Sequence, residues 1–142
     1  MENRSRASAL HHLAISGSDL GVSAAFYDAV LAIVGYTRTV TSERVCAWTG
    51  PDPEILLYRT LEENADDRHA TGQAGWHHAA FLAGSRDDVD AVHRLLVDSD
   101  STILDAPAEY PRYSDGYYAV YFEDPDGLKL EVAFIPAHHE QA

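Results

Sequence analysis

The stretches HHLAI at His11–Ile15 and HHAAF at His77–Phe81 each open an apolar run with a histidine pair, and the closing run LKLEVAF carries Glu131. Side chains alternate between the two faces of an extended strand. His12 therefore shares a face with Ala14 and Ser16, and His78 with Ala80 and Leu82, while His11 and His77 fall with the larger Leu13, Ile15 and Phe81. Glu131 lies with Lys129 and Ala133, opposite the fully apolar Leu130, Val132 and Phe134. A curved sheet with these small and polar residues on its inner face would make a cup where two imidazoles and one carboxylate converge. Such a facial ligand set leaves coordination positions open and suits Fe(II), Mn, Ni, Co or Zn. His12, His78 and Glu131 are thus the expected ligands of one divalent metal ion. His11 and His77 are expected to be partly exposed or to support those ligands.

Periodicity and punctuation supply the elements that must position them. LHHLAIS reads as a strand, followed by an amphipathic helix in SDLGVSAAFYDAVLAIVG with Ser18 or Asp19 as its cap and Val22, Phe26, Ala29, Val30 and Ile33 on one face. Three short strands follow in YTRTVTS, RVCAWTG and PEILLYRT, and the polar stretch 61–74 reads as a linker. The second half repeats this order. WHHAAFLA is a strand, and the next helix has Ser85 and Asp88 at capping-box spacing and Val89, Val92 and Leu96 on one face. TILDAPAEY, GYYAVYFED and LKLEVAFI complete it, the last two joined by the turn DPDG. Two βαβββ modules, 10–60 and 75–136, therefore make one α+β domain over 10–136, between tails at 1–9 and 137–142. The histidine pairs are corresponding points of a duplicated unit.

With 142 residues and 46% hydrophobic content, the chain suits one domain with a substantial core. A formal charge of -13 repels phosphate backbones and anionic lipid, so nucleic acid is not an expected partner. No apolar run approaches the roughly 20 residues of a membrane span, and a cytoplasmic location is expected. Cys46 is the single cysteine, so a cysteine-based zinc site within one chain is excluded. His138 and His139 are expected to belong to a disordered end. The tyrosines Tyr110, Tyr113, Tyr117, Tyr118 and Tyr121 are candidates for lining an aromatic pocket, although strands are aromatic-rich in general.

HHLAISGSDLGVSAAFYDAVL, GWHHAAF and YYAVYFEDPDGLKLEV together resemble the vicinal oxygen chelate superfamily, which includes glyoxalase I, type I extradiol dioxygenases, methylmalonyl-CoA epimerase and bleomycin- or fosfomycin-resistance proteins. The resemblance runs from about Leu10 to Ile135. It implies two βαβββ modules pairing into a cup-shaped open barrel, with metal ligands at His12, His78 and Glu131. A fourth family position falls on Leu56 or Leu57, neither of which binds a metal. Three protein ligands are closer to the extradiol dioxygenase pattern than to that of glyoxalase I. The resemblance also implies a homodimer. If the DPDG hairpin pairs Glu123 with Leu128, Tyr118 points into the cup, where it would be a hydrogen-bond donor or proton shuttle. A slip of one residue would exchange Tyr118 for Tyr117 or Ala119. Two functions follow: a metal-dependent enzyme acting on a small oxygenated molecule, by ring cleavage or by proton transfer beside a carbonyl, or a metal-free protein binding an antibiotic or another small molecule.

Overall fold

A computed structural model describes residues 10–139. The elements run β1 (His12–Gly17), α1 (Leu20–Ile33), β2 (Thr37–Thr41), β3 (Val45–Thr49), β4 (Glu54–Arg59), β5 (Ala79–Leu82), α2 (Arg86–Asp98), β6 (Ile103–Glu109), β7 (Tyr118–Glu123), β8 (Lys129–Phe134) and α3 (Pro136–His139). The duplication is explicit in the sheets, ordered β1-β4-β3-β2 and β5-β8-β7-β6, each with its first strand parallel to its closing strand. The expected linker contains one 3-10 turn at Glu62–Asn64. The expected N-terminal tail 1–9 lies outside the described residues.

Each helix forms where its cap and apolar stripe agree. Asp19 caps α1 by accepting from the Val22 amide, and Ser85 caps α2 by accepting from the Asp88 amide. Val89, Val92 and Leu96 are buried as their spacing requires. On α1 the buried residues are Leu20, Ser23, Ala24, Tyr27, Val30 and Leu31, while Val22 is 57% exposed. The expected stripe was rotated because α1 is apolar nearly all round, so periodicity alone has no polar face to anchor it.

Both helices and the helix-covered faces of both sheets contribute to one core, which includes Trp48, Ile55, Leu57, Phe122, Leu130 and Val132. The Asp124–Gly127 turn fastens the modules together. Tyr27 donates to Asp124 at 2.6 Å, and Ser18 donates to Asp126 through its amide and its hydroxyl. Asp124 in turn accepts from the amides of Asp126 and Leu128, both at 2.9 Å. Gly127 has φ +86°, and a Cβ there would meet the His69 carbonyl at 2.7 Å, so this corner requires glycine.

The far side of each sheet from this core is the open face. On the first it carries His12, Ala14, Ser16 and Leu56; on the second, His78, Ala80, Lys129, Glu131 and Tyr121. The two sheets are not closed into a barrel within the chain. The end expected to be disordered from 137 folds, as far as His139, into α3. His139 donates to the Ala83 carbonyl at 3.1 Å and stacks on Phe134.

Candidate functional site

Glu131 on β8 is 2% exposed although it lies on an open face. The loop between β6 and β7 explains this. It folds over Ala119, Tyr121 and Ala133, bringing Tyr110 and Tyr117 onto them. Gly116 makes the return possible: its φ is +74°, and a Cβ would lie 2.9 Å from Pro136.

Tyr117 donates to Glu131 Oε2 at 2.5 Å. Tyr121, the register partner of Glu131, lies beside the same carboxylate. Burial, and after it the Glu131 carboxylate, push both phenols well above the ordinary tyrosine range, so they remain donors. Tyr110 packs edge-on to Tyr117 and Tyr121, and Tyr113 stacks on Tyr110 at 5.8 Å between centroids. Glu131 therefore stands on a floor of tyrosines.

His78 immediately precedes β5 and presents Nε2 3.9 Å from Glu131 Oε1. Its Nδ1 lies 2.7 Å from His77 Nδ1. When His78 Nδ1–H donates to His77, the Nε2 lone pair is directed at the carboxylate side. Desolvation, partly offset by Glu131, holds the His78 imidazole below its ordinary value and so favours this neutral form. The first module repeats the motif, with His11 Nδ1 3.0 Å from His12 Nδ1. His11 and His77 are exposed, and each ring is within hydrogen-bond distance of its neighbour's.

The three predicted ligands are not gathered by one chain. His78 and Glu131 stand together, but among the described residues no group of three His, Cys, Asp or Glu side chains is arranged to hold a metal ion. His12 lies on the open face of the other sheet. The register also settles the fourth position. Ala80 pairs with Glu131 as Ala14 pairs with Leu56, so Leu56 is the counterpart of Glu131, while Leu57 is fully buried in the core.

Tyr118 does not enter the open face. The hairpin pairs Glu123 with Lys129, one residue away from the register that would turn Tyr118 inward. Its hydroxyl instead donates to Asp90 on α2 at 2.6 Å, and its ring lies under the Arg86 guanidinium. Tyr117 and Tyr121 take the site side. Their signal was present in the sequence as odd-numbered partners of Glu131, but reading it required the turn register. A cavity of about 430 Å³ lies elsewhere, between α1 and α2 beside Phe26, Leu95 and Arg68.

A family model described as the glyoxalase/bleomycin resistance protein/dioxygenase superfamily matches residues 9–132. The chain belongs to that superfamily. It is 27% identical over 123 residues to the uncharacterized protein YqjT of Bacillus subtilis (strain 168), covering 87% of this chain and 96% of that protein. A candidate glyoxalase from Bacillus halodurans has 26% identity and a TM-score of 0.77, covering 91% of this chain and 97% of the other. Lactoylglutathione lyase from Agrobacterium tumefaciens superposes with a TM-score of 0.64 at 20% identity, over 92% of this chain and 96% of that one, a likeness of fold alone. No described helix is long and apolar enough to cross a membrane.

Proposed function

We propose that this superfamily member is a metal-dependent enzyme acting on a small molecule with adjacent oxygen atoms, and that two copies of the chain assemble each complete site. His78 and Glu131 of one subunit, with His12 of the partner subunit, would hold one divalent cation. The observation that carries the reading is the pairing of His78 Nε2 with Glu131 Oε1, each group braced on its other side by His77 or Tyr117. A braced neutral imidazole and a carboxylate with one oxygen free are the donors such an ion takes. The bound ion would supply Lewis acidity toward a bidentate oxygen substrate.

The chain's own groups do the remaining work. Tyr110, Tyr117 and Tyr121 exclude water from Glu131 and present ring edges and hydroxyls to the substrate. Leu56, standing where a fourth ligand would be, keeps coordination positions open, which favours ring cleavage over glyoxalase I isomerisation. The dimer is supported by an apolar crevice joining the free edge strands β1 and β5, where Leu10 is 65% and Leu82 41% exposed.

The sequestering alternative draws on the same tyrosine loop, which suits a planar ligand without any metal. Metal content by mass spectrometry separates the two readings. About one divalent ion per chain in the wild type, lost in His78→Ala and Glu131→Ala, is expected. Unchanged content in those variants would overturn the enzyme reading.

A further inference from the structure

Of the ten basic side chains in the sequence nine are arginine, and the one lysine, Lys129, lies on the open face two residues before Glu131. Its ammonium stands 5.0 Å from the centre of the Tyr121 ring. Its carbonyl accepts from Trp76 Nε1 at 3.3 Å, which pins the backbone at the end of the strand.

The charge environment is unusual for this chain. Among the described residues the ion pairs are Arg38–Asp28, Arg68–Glu123, His78–Glu131 and Arg86–Glu109, and Lys129 is in none of them. The omission is not for want of an acid. Glu123 is directly opposite Lys129 in the ladder, yet its carboxylate turns to Arg68, with Oε2 3.6 Å from Nη2. Lys129 is half-buried, and since no described acidic side chain pairs with it, its ammonium keeps its donors for another acceptor. A ring face alone stabilises a cation less than a hydrogen-bonded charge pair does.

We propose that Lys129 binds a carboxylate, or a comparable oxyanion, on the substrate, so that the site takes acidic small molecules in preference to neutral ones. This rests on the His78–Glu131 face being the substrate site. The need for a dedicated cation follows from the field: a net charge of -13 and Glu131 itself repel an anion, and an ammonium beside the tyrosine floor offsets that locally. Lysine acts here as a point charge, while the metal ligands fix the other end of the molecule.

Two ligands with the same adjacent oxygens, 3,4-dihydroxybenzoate and catechol, isolate the carboxylate. Cobalt-loaded wild type is expected to bind the acid at least about 10-fold tighter than catechol, as a charge-assisted hydrogen bond provides. Lys129→Met should erase that preference while leaving catechol affinity unchanged, and Lys129→Arg should retain part of it. Equal affinities in the wild type, or an undiminished preference in Lys129→Met, would overturn the proposal. Reductive ¹³C-methylation labels the single lysine and gives a metal-independent readout. Benzoate, and not benzyl alcohol, should shift its NMR signal in metal-free protein. A shift there together with no catechol binding by the cobalt form would sink the metal reading and keep the lysine one; no benzoate shift would sink the lysine one.

Discussion

Removing the Tyr117 hydroxyl tests the tyrosine floor, because its one recorded hydrogen-bond acceptor, Glu131, is 2% exposed. A hydrogen bond to a charged group contributes about 1.5–3 kcal/mol net, and an acceptor left without its donor is costly to keep buried. Tyr121 stays beside the carboxylate and keeps its surroundings polar, which places the expected cost of Tyr117→Phe near the lower end, about 1.5–2 kcal/mol. For a domain of this size that is a fall of roughly 4–8 °C in Tm. The measurement is urea unfolding of chelator-treated protein, in a cycle with Glu131→Gln. If the two groups act on each other, the cost of Tyr117→Phe should shrink by about 1 kcal/mol once the carboxylate is gone. A coupling below about 0.3 kcal/mol would refute the reasoning, since the phenol would then stabilise the fold by packing alone.

Tyr118→Phe, which removes the bond to Asp90, should cost about 1 kcal/mol of stability and leave metal content and ligand affinity unchanged; altered metal content would return Tyr118 to the site. Leu56→Glu should tighten metal binding as measured by competition with a chelator, whereas the same change at the buried Leu57 should unfold the protein. Burial holds the Asp124 carboxyl above its ordinary 3.8, so between that value and the higher folded one the native state binds more protons than the unfolded state. The stability this group contributes is greatest in acid and declines as pH rises through that window. Asp124→Asn should flatten the decline in urea unfolding between pH 4 and 7, and a parallel curve would dismiss the assignment.

Strand parity was enough to place His78 and Glu131 on one face, because each sheet has a large apolar face that leaves no choice of orientation. The cap and stripe of α2 were equally plain, and the cap of α1 was narrowed to Ser18 or Asp19, of which Asp19 takes the place. Tyr118 was misread because the face of β7 depends on the turn: DPDG admits two neighbouring pairings, and only the Asp124 carboxylate, accepting from the amides of Asp126 and Leu128, selects Glu123 opposite Lys129. The position of His12 was beyond reach for a different reason. Its face is local information, but which module it faces depends on how modules pair. The joining contacts, Tyr27 with Asp124 and Ser18 with Asp126, are between residues far apart in sequence with no shared periodicity.

The central claim is that His12 of one copy meets His78 and Glu131 of another, and mixing two defective variants tests it most directly. His12→Ala and Glu131→Ala protein should each lack bound metal. When the two are unfolded together, refolded and separated as the mixed dimer, one site receives both defects and the other receives none. Native mass spectrometry should then find one divalent ion per mixed dimer, with ligand binding restored to that site. A mixed dimer without metal, formed from subunits whose wild-type dimer binds it, would show that each chain builds its site alone and would contradict the account.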